Sequence, residues 1–307
     1  MRTARSALLL ALAAAALACE PAAATFPGRN GDIVLSYESG SRYSTQHMSL
    51  LRYSPRSGRH REAEVCSFRA LFTPLGCWQL GRAAFTPDGT RIAVSVGEGS
   101  GPEGISWALW TLTTDGQRID RVPLSAAYWD VRWAPDESAL LAVRDAGVFI
   151  LNRDGSERSL LASGASAADW CADGRVAVAQ HDEIWLLDVT RPGGTRRLTY
   201  RGGADPSCSP HSRQVTFTRG DGIWTIPTKG GHARRLTTGF APVWSPDGKQ
   251  IAYLREAAAH YDVETNLYRI GLRRLVVRRM SDDYLMSDDP YSDARVQDPD
   301  WQPLPRG

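Results

Sequence analysis

The sequence predicts an all-β fold, a six-bladed β-propeller closed by pairing of the C-terminal strand with the N-terminal blade. Three observations predict it: a phrase that recurs in degraded copies, alternating segments with Asp-Gly turns after each copy, and two chain ends that each hold half a repeat. The fullest copy is Trp244-Ser245-Pro246-Asp247-Gly248-Lys249-Gln250-Ile251-Ala252-Tyr253. The others begin Phe85-Thr86-Pro87-Asp88-Gly89, Trp133-Ala134-Pro135-Asp136-Glu137, Trp170-Cys171-Ala172-Asp173-Gly174 and Cys208-Ser209-Pro210-His211-Ser212, and a half-copy runs Asp298-Pro299-Asp300-Trp301-Gln302-Pro303. Steps between the anchor positions 85, 133, 170, 208, 244 and 301 are 48, 37, 38, 36 and 57. A period of roughly 40 residues with four short strands per unit marks a propeller blade.

The elements follow in order. Arg2 and Arg5 precede an apolar run from Ala7 to Ala18, too short to span a bilayer and suited to a signal-peptide core. Ala22-Ala23-Ala24 is the favoured cleavage site, because Thr25-Phe26-Pro27 then opens the repeats directly. Ala16-Leu17-Ala18 is a second site, and Cys19 behind it offers a position for a lipid, the one membrane attachment considered. The expected division is residues 1–24 as signal peptide and 25–307 as a single propeller domain. An exported protein of the periplasm, cell envelope or extracellular space follows.

Each repeat reads as four strands. In repeat six, Phe240–Trp244 is the inner strand, Ser245-Pro246-Asp247-Gly248 the turn, and Gln250–Leu254 the second strand; the third is expected at Asn266–Ile270, after an insertion. Repeats five, four, three and two place their third strands at Gly222–Ile226, Glu183–Leu187, Gly147–Leu151 and Ala108–Leu112. Their fourth strands follow at Ala233–Thr237, Arg196–Thr199, Arg158–Leu161 and Gln117–Val122. Asp-Gly turns at positions 88, 115, 154, 173, 221 and 247 agree with hairpin chemistry. Asn30–Ser36 resembles a turn and second strand, Val296–Trp301 a first strand; pairing them completes repeat one and leaves no open sheet edge. Two polar insertions stand apart, Ser39–Gln46 and Met280–Asp293.

Formal charge is +2, from 36 basic and 34 acidic residues, so no electrostatic footprint for nucleic acid is present. With Cys19 removed, four cysteines remain, an even number suited to an oxidising compartment. Cys66 and Cys77 form the best candidate disulfide; Cys171 and Cys208, in neighbouring repeat slots, form a second or serve as small buried apolar residues. Trp133, Trp170, Trp244 and Trp301 at anchors, and Trp110, Trp185 and Trp224 on third strands, read as packing between blades. Trp78, Trp107 and Trp129 fall off the strict register.

Two groups carry candidate chemistry. Three positions before the anchors lie Arg82, Asp130, Asp205 and Asp298; one position before lie Arg132, Asp169 and Asp300. These charges converge near one mouth of the axial channel, where a ligand or partner would bind, unless they pair with one another between blades. The second group is the acidic insertion, with Asp282, Asp283, Asp288 and Asp289 as carboxylate donors for a calcium ion, the one cofactor considered, or as a solvated or docking loop. No Gly-x-Ser-x-Gly elbow, His-Glu-x-x-His, phosphate loop or dinucleotide fingerprint occurs, and the six histidines lack metal-ligand spacing. No catalytic residue is assigned.

The anchor phrase, with Arg-Arg-Leu-Thr closing strands at Arg196–Thr199 and Arg234–Thr237, resembles the repeat of the TolB family across Phe26–Pro303. That family comprises exported six-bladed propellers; TolB itself is a periplasmic partner of the Tol–Pal envelope system and carries an α/β domain before its propeller. Here the repeats begin directly after the leader, so the resemblance is to the propeller part only. It implies a monomeric, non-enzymatic scaffold that binds a protein or envelope component. The alternatives are a propeller enzyme of lyase, lactonase or glycan-acting type, or an ion or small-ligand binder, using channel-mouth carboxylates.

Overall fold

The computed structural model describes residues 26–39, 46–68, 76–99, 105–191, 193–256, 260–262, 267–269, 273–279, 295–296 and 299–305. Every regular element among them is a β-strand. The expected leader, the acidic insertion with Asp282, Asp283, Asp288 and Asp289, and Asp298 lie outside the described residues.

The anchor phrase ends a strand and makes the turn behind it. Phe85, Trp133, Trp170, Cys208 and Trp244 each close the first strand of their repeat: Gly76–Phe85, Asp130–Trp133, Ala165–Trp170, Ala204–Cys208 and Phe240–Trp244. In the turn, the aspartate accepts the backbone N–H two residues on, at 3.0 Å for Asp88–Thr90, Asp136–Ser138 and Asp247–Lys249, and 3.2 Å for Asp173–Arg175. The glycine after it takes the left-handed conformation, φ 68° at Gly89, 81° at Gly174 and 70° at Gly248. The degraded copies keep the geometry with costlier residues, Glu137 at φ 55° and Ser212 at φ 50°.

Repeats four and five are separate four-stranded antiparallel sheets. Repeats two and three join in one eight-stranded sheet through a parallel bridge between Arg82 and Asp130. In repeat one, the N-terminal strand Arg29–Ser39 pairs with Gln46–Ser54 on one side and with the C-terminal strand Asp300–Leu304 on the other, in the register Ile33↔Trp301 and Val34↔Asp300. Repeat six departs from expectation. Its third strand is Arg273–Arg279, paired with Gln250–Glu256, whereas Leu267–Arg269 pairs with His260–Asp262 in a separate hairpin. In that pairing Val277 stands opposite Ala252 and Val276 opposite Tyr253.

Among the described residues the core divides into clusters that each straddle two consecutive repeats. One joins Val34 and Leu50 to Phe85 and Val94; others join Leu109 to Val131, Val143 to Trp170, Ala177 to Cys208, and Ile223 to Trp244. The remaining cluster joins Val243 and Leu254 of repeat six to Ile33, Leu51 and Trp301 of repeat one. No repeat therefore buries its own faces alone, which is why the period persists despite degraded spelling. The tryptophans at the anchors and on third strands serve this packing, as do Trp107 and Trp129, while the side chain of Trp78 lies outside those described.

Two disulfides tie neighbouring repeats. Cys66 bonds Cys77, joining repeat one to repeat two, and Cys171 bonds Cys208, joining four to five.

Candidate functional site

The position one before the anchor points its side chain between repeats. Asp169 lies there in repeat four, and its Oδ2 accepts the backbone N–H of Cys208, the anchor of repeat five, at 2.8 Å. Asp300 lies there in the C-terminal strand, and its Oδ2 accepts the N–H of Phe85, the anchor of repeat two, at 2.7 Å. In repeat three the same position is Arg132, whose Nη1 donates to Asp169 Oδ1 at 2.9 Å and whose Nε donates to Asp130 Oδ1 at 3.1 Å. Arg82 approaches Asp130 at 3.7 Å and donates from Nη2 to the carbonyl of Pro299 at 3.0 Å. Four consecutive repeats thus share one buried network of alternating charge.

Arg82, Asp130, Arg132 and Asp169 are each less than a tenth exposed. Burial pushes the Asp169 carboxyl up to about 6, against the pull of Arg132 and the Cys208 N–H. Burial raises Asp300 as well, with Arg132 opposing. Burial disfavours the Arg132 charge, yet Asp130, Asp169 and Asp300 outweigh it and hold the guanidinium protonated. Two arginines face three carboxylates, and burial, more than repulsion among the carboxylates, raises Asp169 and Asp300.

A cavity of about 30 Å³ lies against Arg132, Asp169 and Asp300, walled by the anchors Phe85, Trp133, Trp170 and Trp301. Phe26, just before the first strand, lines it too. Gly28 donates its N–H to the Pro246 carbonyl of repeat six at 3.1 Å, while Phe26 packs against the cluster between repeats three and four. Three residues of chain thus pass from one side of the network to the other, an arrangement the repeat pattern gives no hint of.

Asp205 sits half-buried at φ 46°, on the bulge that opens the first strand of repeat five. Among the described residues no group of three or more His, Cys, Asp or Glu is placed to hold a metal ion.

A second concavity, of about 510 Å³, opens between the turns of repeats three and four. Sequence reasoning missed it, because its volume depends on small residues from two repeats meeting in space.

No family model matches the sequence, and no curated protein does. Solved structures do. A protein assigned as TolB from Agrobacterium tumefaciens is 17% identical, with a TM-score of 0.56 over 90% of this chain and 99% of that one. Hydrazine synthase from Kuenenia stuttgartiensis is 15% identical, with a TM-score of 0.45 over 77% of this chain and 92% of that chain. The first likeness establishes the architecture as a TolB-like β-propeller.

Proposed function

We propose that the chain is a six-bladed propeller, closed by its two ends, that works as a non-enzymatic protein-binding module in the cell envelope. The pairing of Arg29–Ser39 with Asp300–Leu304 and the core shared by repeats six and one support a closed ring of six. Export is supported by the leader-like residues 1–24 and by two cysteine pairs at bonding distance, chemistry at home in an oxidising compartment. The observation that carries the binding reading is the mutual commitment of the buried charges: Arg132, Asp169 and Asp300 are spent on bonds between repeats, and Asp130 on Arg132 beside it and Arg82 of the neighbouring repeat. Charges so engaged hold a scaffold rigid, and the faces of that scaffold do the binding.

The test is crosslinking followed by affinity capture of the tagged full chain from the envelope of the producing cell, with thiol titration of the same fraction. A reproducible protein partner and no free thiols are expected. Retention in the cytoplasm with four titratable thiols would overturn the envelope reading, and turnover of a glycan or lactone by the purified protein would overturn the non-enzymatic one.

A further inference from the structure

At four junctions between consecutive repeats, the anchor turns are tied to their neighbours. Gln302 Nε2 donates to Gly89 O at 2.7 Å, Arg91 pairs with Glu137 at 3.7 Å, Ser212 Oγ accepts the Asp173 N–H at 2.9 Å, and Asn30 Oδ1 accepts the Asp247 N–H at 3.1 Å. Between repeats three and four the turns part instead, and the cleft of about 510 Å³ occupies the gap. Its floor is apolar: Ala134, Ala139 and Ile150 from repeat three, Trp170 from repeat four. Gly174 widens it, since a Cβ there would meet nothing within 4 Å. The volume and the apolar floor, with polar groups from Asp136, Ser138, Arg158, Ser159, Asp173 and Thr190 around it, are those of a ligand site.

Two further features say what it would take. Trp170 is only 5% exposed and its indole Nε1 is enclosed, so what this wall offers a ligand is apolar contact. Charge is distributed unevenly along the rim. Asp136, exposed on the inner turn, is held ionised by its bonds to Ser138 and has no cation partner among the described residues, whereas Asp173 is already paired with Arg175 at 2.6 Å. Arg158, exposed on the outer strand of repeat three, also lines the cleft.

We propose that this cleft is the docking site for a partner's peptide segment, an apolar side chain on the floor flanked by a lysine or arginine beside Asp136. The proposal rests on the protein-binding reading above and names the surface that performs it. An acidic or carbonyl group toward Arg158 completes the match.

The experiment uses the intact protein and a positional-scanning library of N-acetylated, C-amidated tripeptides, read by the indole N–H resonance of Trp170, assigned with Trp170→Phe. Selection of an apolar residue next to a basic one is expected. Asp136→Lys should weaken the selected peptide at least tenfold and shift preference to an acidic neighbour. Asp136→Asn keeps an acceptor for the Ser138 N–H, so its turn survives; it should weaken binding without reversing preference. The proposal is overturned if no peptide moves the Trp170 resonance at millimolar concentration, or if Asp136→Lys leaves affinity unchanged. Envelope capture at undiminished yield by the Asp136→Lys protein would sink the cleft while leaving the protein-binding reading intact; peptide selection without any envelope partner would do the reverse.

Discussion

The carboxylate of Asp300 accepts the backbone N–H of Phe85 at 2.7 Å, a bond between positions 215 residues apart. It sits where the C-terminal strand leaves the N-terminal one and meets repeat two. Asp300→Ala removes the acceptor and strands a buried amide, at a cost of about 1–3 kcal/mol. Asp300→Asn retains an acceptor and removes the surplus negative charge. The asparagine variant should therefore lie well above the alanine variant in urea midpoint; equal losses would mean that the amide bond contributes nothing.

Acidity should act on the buried charge network with an unusual sign. Burial pushes the Asp169 carboxyl up to about 6 in the folded state, above its ordinary 3.8. A folded-state pKa above the unfolded one means that the folded protein holds the extra proton. This group's contribution is then greatest below about pH 4 and is lost as pH rises through about 6, on the order of 3 kcal/mol. Surface carboxylates held low, such as Glu98 paired with Arg121, act in the opposite direction as acid is added. The check is the difference in unfolding free energy between wild type and Asp169→Asn from pH 4 to 7, which should fall by that amount as pH rises. A flat difference would exclude the raised carboxyl.

Turn glycines and their substitutes should respond oppositely. A Cβ on Gly89 would sit 1.8 Å from the Pro303 carbonyl, so Gly89→Ala must push the C-terminal strand away, at a cost of about 3–5 kcal/mol. Glu137 holds the equivalent left-handed position without being glycine. Glu137→Gly should gain up to about 1 kcal/mol, the relief of its backbone outweighing one exposed ion pair with Arg91. Thermal midpoints of the two variants decide both.

Removing residues 296–307 deletes Asp300–Leu304 and bares one edge of Arg29–Ser39, together with the apolar faces that Trp301 covers. Cooperative unfolding should disappear. A truncated protein that melts in one transition at the native temperature would refute closure of the ring.

The bond between Cys171 and Cys208 closes a separation of 37 residues, and its removal by paired alanine substitution should cost about 3–4 kcal/mol. The bond between Cys66 and Cys77 closes only 11 and should cost about 2–3 kcal/mol. Reductant alone should reproduce the sum in the thermal midpoint of the wild type.

Much of this architecture is written locally. Gly147–Leu151 and Phe240–Trp244 occupy the residues that alternation and turn chemistry assign them. Adjacent repeat slots suggested the Cys171–Cys208 pair, and a short connecting stretch suggested pairing Cys66 with Cys77. The positions one and three before each anchor were legible as a set, since the repeat places them at equivalent points. Their mode of engagement was not: whether Asp169 meets a ligand or the Cys208 amide depends on the gap between two sheets, a distance no spacing encodes. Repeat six misled because the insertion after Glu256 carries its own strand-like Leu267–Arg269, and local alternation cannot tell a hairpin from a ladder strand. Phe26 and the wide cleft were invisible for a related reason. Each arises where residues from separate repeats happen to leave or fill volume.

Arg29 and Leu304 are register partners, so the first and last described strands of the chain have their outer ends side by side. A short linker between them would make the backbone continuous, and the cut could then be moved to an exposed turn such as that around Gly164, where φ is 64° and a side chain would meet nothing. Such a permutant begins with repeat four and ends with repeat three. Its cleft would then be flanked by free ends, ready for a genetically appended peptide to be presented to its own docking groove.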